Sequence, residues 1–397
     1  MNKSKEKRYI LMFEDYEVLL FSVSFDPNGI EVLEKREHFE MAPYQLTKEN
    51  ANLDGTLYTF FARRVIPVTR HGYDKIMEAT GCRDSFELVF KGHGLSLSNH
   101  YWFKKEDENL KYEDINFFDN RWDDSFARAL LNDDFEALRN VNLDVPDTLT
   151  QGWAVKGWIS EEDGPRLYKL GIQDGHCEES LGEVLTSRLA KRLFKENEVL
   201  EYELREWNGR YASVSKPMIK KDEDLVHLSA MLPWSLYKLY RNKNMNKRFG
   251  KEFFEEINRS GMGDLYEFFV KLSCLRALCF VPDLHFDNIG IIRNLITKEI
   301  HPAPFYDLAG SFGGTMDGQK VLSNLNQGTY LIVYFLYGYL DPNWDLSWYD
   351  PSKLEGFEDE IRECLSKSSF YTPKLIDNII EVYRNQKEAI DSLANKN

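Results

Sequence analysis

Hydrophobic and polar positions change period several times along this chain, and each change marks an element. Residues 8–13, 18–25 and 30–33 are apolar, strand-like runs, with a turn at Pro27-Asn28-Gly29. Residues 57–66 fit either a strand or a short helix, and 69–79 carry helical spacing closed by Gly81. Polar residues sit among aromatics in 95–103, which reads as a buried strand with polar alternates in preference to a binding face. A loop over 116–120 and a helix over 122–131 follow. Residues 153–159 and 166–172 are strand-like and are joined by Glu161-Glu162-Asp163-Gly164, a hairpin signal. Leu181, Val184, Leu185, Leu189 and Leu193 form one helical stripe. Asn208-Gly209, the strongest short turn signal, joins strand-like runs at 200–207 and 211–214.

The second half is mainly helical in pattern. Leu265, Phe268, Phe269, Leu272, Leu275, Leu278 and Cys279 predict a buried helix, which Pro282 cannot continue. Residues 289–292 are strand-like, and 302–306 lie across a turn from them, so Asn288 and Asp307 bracket a hairpin. The longest apolar run, 330–340, is 11 residues, too short to span a bilayer, and reads as a core helix. Asp350-Pro351 predicts a helix start with Leu354, Phe357, Ile361 and Leu365 inward. Thr372-Pro373 starts another, with Leu375, Ile376, Ile379, Ile380 and Tyr383 inward. These patterns divide the chain into a mixed unit over 1–147, a sheet-rich unit over 148–219 and a helical unit over 220–397, an α+β chain.

Composition narrows the classes. Hydrophobic content of 43% in 397 residues is ample for burial and argues against disorder. A formal net charge of −15 argues against nonspecific nucleic-acid binding, because phosphate contacts need Lys and Arg. The most basic stretch, 241–248, reads as a solvated loop. The five cysteines have no paired metal spacing, and the charged start shows no secretory signal. A reduced, cytoplasmic setting without membrane insertion is the expectation.

Candidate chemistry centres on Asp283, Asn288 and Asp307. Phosphoryl transfer needs one carboxylate to accept the proton of an attacking hydroxyl, and an amide with a second carboxylate to hold Mg²⁺ against phosphates. Such spacing alone is a weak signal, since Asp and Asn are common turn residues. Upstream, Lys169 lies in a strand-like run and Glu183 on the helical stripe. A strand lysine oriented by a helix glutamate is how kinases bind the α- and β-phosphates. The segment 215–219, with Met218, and the charged stretch 220–224 fall where a hinge holding the adenine is expected.

The region 151–307 resembles the HipA-like serine/threonine kinases of bacterial toxin–antitoxin systems. Gln151-Gly-Trp-Ala-Val-Lys156 is similar to that family's glycine- and lysine-containing loop, and Tyr168-Lys-Leu170 looks like its ATP-lysine strand. The 183–193 stretch resembles its helix, Asp283-Leu-His-Phe-Asp-Asn288 its catalytic loop, and Pro304-Phe-Tyr-Asp-Leu308 its metal motif. Gly182 stands where the family usually has Asn, and 146–151 lacks the regulatory serine of some members. The resemblance implies a bilobal kinase-like fold with a sheet-rich small lobe and helical large lobe, preceded here by the mixed unit. It implies ATP and Mg²⁺ as cofactors, a protein substrate and an antitoxin partner. By the same carry-over Asp283 is the base, braced by His285; Lys169, Glu183, Lys156 and Met218 serve the nucleotide; and Asn288 and Asp307 hold the metal. A kinase-shaped binding protein that no longer transfers phosphate, acting through an antitoxin or a nucleic-acid-associated complex, is the competing expectation.

Overall fold

The structure, a computed structural model, describes residues 7–25, 27–49, 51–171, 178–232, 247–259, 265–281, 286–325 and 344–395. It is an α+β chain whose sheets are antiparallel. Two compact units form: Met1–Lys169 with Ile219–Asp224, and Leu170–Met218 with Leu225–Asn397.

The first unit is built on β1 (Lys7–Phe13), β2 (Tyr16–Phe25), β3 (Asn28–Lys35) and β4 (Tyr101–Lys105), in the order β3-β2-β1-β4. The strands predicted near the start are therefore present. Leu11 pairs with Leu19 on one side and Phe103 on the other. Both sheet faces are covered, which explains the nearly unbroken apolar runs in β1 and β2. Tyr9, Phe21, Phe61, Phe90 and Phe103 stack on one face, with Phe90 and Phe103 ring centroids 4.6 Å apart. Ile10, Met12, Leu20, Leu95, Leu97 and Trp102 fill the other. The ambiguous 57–66 stretch resolves as a helix, α1 (Leu53–Ala62), because Asn52 caps it by accepting from the Gly55 N–H. Helix α2 (Tyr73–Thr80) ends at Gly81 in the left-handed conformation. Asp84 caps α3 (Ser85–Lys91), and α4 (Ser125–Leu131) completes this unit's longer helices.

The polar residues of 95–103 are spent internally. Asn99 accepts from the Tyr101 N–H, and buried His100 meets Asp224 Oδ1 at 2.9 Å and the Lys221 carbonyl at 2.7 Å. Those bonds hold the 219–224 segment within the first unit.

Strands β5 (Lys156–Glu161) and β6 (Gly164–Leu170) form the predicted hairpin. Its β5 edge is docked on the helical part of the first unit. The Trp158 N–H donates to Asp147 Oδ1 at 2.8 Å, and the Ser160 N–H to Asp124 Oδ2 at 3.3 Å. Gly157 allows the approach, since a Cβ there would lie 2.8 Å from that of Ala127.

The second unit begins with α5 (Glu179–Leu193), the helix expected from the leucine stripe. Strands β7 (Glu203–Trp207) and β8 (Arg210–Ser215) turn at Asn208 and Gly209, both at positive φ as a two-residue primed turn requires. A further strand, β9 (Glu223–His227), starts in the charged stretch that the sequence pattern assigns to a hinge. It joins β10 (Gly290–Asn294) and β11 (Ile300–Pro302) in the order β11-β10-β9. Helices α6 (Lys247–Arg259) and α7 (Tyr266–Cys279) precede that hairpin. Phe280, left-handed at φ 54° and fully buried, ends α7 two residues before Pro282. Helix α8 (Met316–Leu325) follows, and the expected core helix over 330–340 lies outside the described residues.

One expectation at the C-terminus is corrected. Pro351 opens only a 3₁₀ turn, Pro351–Leu354, and Gly356 at φ 74° breaks the chain before α9 (Phe357–Leu365). The final helix, α10 (Pro373–Ala394), starts as predicted with Thr372 as its cap. Cys82, Cys274, Cys279 and Cys364 are buried free thiols. Among the described residues no helix is long and apolar enough to cross a membrane.

Asp147 is fully buried, and its Oδ2 has no hydrogen-bond partner among the described residues. Burial pushes its carboxyl up to about 7 from 3.8, against the Trp158 N–H and the Arg70 charge. The native state therefore holds this proton more tightly than the unfolded chain does. Its contribution to stability is complete below the unfolded value and is lost as pH rises to the folded one. Denaturant titrations from pH 4 to 8 should show wild type losing up to about 4 kcal/mol relative to Asp147→Asn by pH 7, at roughly 1.4 kcal/mol per tenfold change in proton affinity. A pH-independent difference between the two proteins would refute this assignment.

Candidate active site

The two predicted metal ligands come together at the open end of the β10–β11 hairpin. Asn288 lies two residues before β10, and Asp307 five residues after β11. The Asn288 amide Nδ2 donates to the Asp307 carbonyl at 3.3 Å. Asp307 itself is left-handed, at φ 49°. Asp tolerates that region better than most residues, and strain of this kind concentrates at functional positions. The Asp307 N–H donates to the Tyr202 hydroxyl at 3.2 Å, which helps fix the conformation.

The backbone leading to Asp307 is clamped on two sides. Ala303 N–H donates to the Gly290 carbonyl at 2.9 Å. Phe305 N–H donates to the Glu198 carbonyl at 2.8 Å, and Leu200 N–H to the Phe305 carbonyl at 3.2 Å. Glu198 is tied in turn to α7 through Lys271 at 2.7 Å. Tyr306 bridges the two motifs: its hydroxyl donates to the Asp287 carbonyl at 3.0 Å and lies 2.9 Å from His227 Nδ1. A phenol has one proton to give, so His227 Nδ1 is the donor in the second contact. Burial first, then the Asp307 and Asp287 charges, holds the Tyr306 phenol well above its ordinary range and keeps it protonated. Ser229 Oγ donates to Asp287 Oδ1.

Glu183 is 1% exposed on α5 and accepts from Ser213 Oγ of β8 at 2.5 Å. Its neighbour Gly182 lies against the segment that follows Asp307, since a Cβ there would be 2.5 Å from the Ser311 carbonyl oxygen. Lys169 is buried near the end of β6 and lies opposite Lys156 in the β5–β6 register. Lys156 Nζ comes within 3.0 Å of where a Gly152 Cβ would be. Both lysines belong to the first compact unit, whereas Glu183, Asn288, Asp307 and half-buried Met218 belong to the second. Asp283 and His285 lie outside the described residues.

Several supporting residues escape sequence reasoning. Tyr202, Ser213 and His227 act through folding contacts that no local spacing signals. Tyr306 sits inside the quoted metal motif, but its bridging role depends on the hairpin register. Among the described residues, no three His, Cys, Asp or Glu side chains cluster as metal ligands. An amide oxygen and a carboxylate still suit Mg²⁺, which takes hard oxygen donors and usually retains waters and substrate phosphates.

No protein-family model matches the chain, and no curated protein sequence matches it. Among solved structures it is similar to the Helicobacter pylori proinflammatory kinase CtkA, at 15% identity and a TM-score of 0.42. That similarity covers 61% of this chain and 93% of the other.

Tyr306→Phe removes the hydroxyl and keeps the ring. Each of its two hydrogen bonds is worth about 1 kcal/mol, so chemical denaturation should show a loss of roughly 1–2 kcal/mol with the fold retained. Unchanged stability would mean that the hydroxyl does not bridge the two segments.

Proposed function

We propose that this chain is a HipA-like, Mg²⁺-dependent kinase that transfers the γ-phosphoryl group of ATP to a Ser or Thr hydroxyl of a protein. The observation that carries this reading is the Asn288–Asp307 pairing at the end of one hairpin. Two residues nineteen positions apart would not meet there without a reason of fold or chemistry, and the pair is the donor set phosphoryl transfer requires. Because the Asn288 amide nitrogen is turned to a carbonyl, its oxygen is the face left to receive a cation. Asn288 and Asp307 would hold Mg²⁺, which supplies charge neutralisation at the phosphates when bound.

The remaining roles follow from the motif resemblance. Lys169 carries a point charge to the phosphate oxygens, and Glu183 orients it in the active arrangement. Lys156 lies on the same hairpin and adds a second cation toward the phosphates. Met218 packs on the adenine. Asp283 accepts the proton as the acceptor oxygen bonds to the γ-phosphorus; the bond to the β–γ bridging oxygen breaks, and ADP leaves. His285 braces that loop. An antitoxin partner and a cytoplasmic setting belong to the same reading.

The test is γ-phosphate transfer from labelled ATP with and without Mg²⁺. Asp307→Asn keeps a residue that tolerates the left-handed conformation but removes the charge, and should lower turnover by about a hundredfold or more. Asp283→Asn should lower it by roughly two to four powers of ten while nucleotide binding is retained. Lys169→Ala should weaken ATP binding or stop turnover. Wild-type rates in the Asp283 and Asp307 variants would overturn this assignment of the site, and a wild type that transfers no phosphate from ATP would favour a kinase-shaped binding protein.

A further inference from the structure

Arg70 lies in the connection between α1 and α2 and is 3% exposed. Its guanidinium collects the carbonyls of three successive residues. Nε donates to Gly152 O at 2.7 Å, and Nη2 to Thr150 O at 2.8 Å and Gln151 O at 2.9 Å. Nη1 reaches Thr150 Oγ1 at 3.4 Å. Thr150 is fixed from below as well, its Oγ1 donating to the Asp147 carbonyl at 2.8 Å.

The trans peptide plane gives this convergence a consequence. Within each peptide group the C=O and the next N–H point in opposite directions. Carbonyls 150, 151 and 152 face Arg70, so the N–H groups of Gln151, Gly152 and Trp153 face away from it. Among the described residues none of these three N–H groups donates a hydrogen bond. Gly152, at φ 83°, permits the curl, and the Lys156 ammonium lies beside it. Outward N–H groups beside an ammonium are donors that an anion can accept from.

We propose that Arg70 is a positioning residue for nucleotide binding: it holds the 150–152 backbone so that the outward N–H groups and Lys156 are preset for the phosphates. The N-terminal region thereby becomes part of the nucleotide-binding machinery. This inference rests on the kinase reading above. Arg70 touches no substrate; it acts through the loop.

The experiment compares the full-length wild type with Arg70→Lys, Arg70→Ala and Gly152→Ala. It measures KM for ATP, kcat, thermal stability and amide hydrogen exchange over 150–157. A lysine can reach fewer of the carbonyls and Gly152→Ala strains the curl, so both variants keep the test open if Arg70→Ala fails to fold. Each should raise KM for ATP by about tenfold, the loss of roughly one charge-assisted hydrogen bond's worth of positioning, with kcat changed far less. Exchange at the Thr150 amide, which donates to the Asp147 carbonyl, should speed up while the β1–β4 sheet stays protected. Unaltered KM in folded variants of an active wild type would overturn the role of Arg70 alone. Likewise, a fall in kcat and stability with KM constant would reduce Arg70 to a structural group. A wild type that neither binds nor turns over ATP would overturn the kinase reading, and this inference with it.

Discussion

Buried peptide groups must find partners, and at the β5 edge the partners are ionisable side chains. An unpaired buried donor or acceptor costs about 1–3 kcal/mol, so edge groups left open there would be expensive. Asp147 and Asp124 take the Trp158 and Ser160 N–H groups, and Arg70 takes the carbonyls just before the strand. The dependence is mutual. Arg70 and Asp147 are themselves deeply buried, and the backbone supplies the polar contacts that make their burial tolerable. Neither the N-terminal helices nor the β5–β6 hairpin satisfies its polar groups alone. These bonds tie the hairpin to the compact unit that contains the N-terminal sheet.

A different economy governs the second unit. The chain approaching Asp307 is too short and irregular to be a strand beyond Pro302, so its peptide groups are satisfied one by one. Gly290, Glu198 and Leu200 supply backbone partners, and Tyr202 supplies a hydroxyl. These bonds over-determine a backbone conformation that Asp307 would not adopt freely. The loop before β10 is fixed to the same frame: Ser229 N–H donates to the Phe286 carbonyl at 3.0 Å, and Leu228 N–H to the Ile289 carbonyl at 2.8 Å. Asn288 and Asp307 are thus positioned by polar contacts on both sides of the hairpin, with Tyr306 joining them.

Legibility in the sequence follows how local each cause is. The β7–β8 hairpin was readable because Asn208-Gly209 fixes both positive φ values within two residues. Helix α5 was readable because its apolar stripe recurs at helical spacing. Strand β9 was not, since its opening residues are charged and buried Asp224 pairs with His100, more than a hundred residues away in sequence. Pro351 was a true helix-start signal with a false consequence, because Gly356 ends the turn that proline begins. Asn288 and Asp307 were visible as types at a spacing, while their meeting depends on hairpin register. Arg70 carried no signal, because an arginine in a loop normally faces solvent, and only the fold turns it inward.

Gly182 shows how a departure from a family pattern can carry structural content. The resembled helix usually has Asn before its glutamate, and here any side chain at that position would collide with the Ser311 backbone. The collision would not be with a flexible side-chain end that could swing away, but with a carbonyl oxygen in the turn Ser311–Gly313. That turn is constrained in its own right: Phe312 is fully buried at φ 52°, and Gly314 accepts the Glu178 N–H at 2.8 Å. Helix α5 therefore meets the segment after Asp307 along its backbone, at its N-cap residue Glu178 and at Gly182, with Glu183 the next residue. Close-packed interfaces of this kind tolerate discrete rearrangement better than gradual sliding. A displacement of the helix that carries Glu183 must accordingly be matched by the segment that follows Asp307. The glycine makes that coupling possible by removing the side chain that would otherwise keep the two backbones apart.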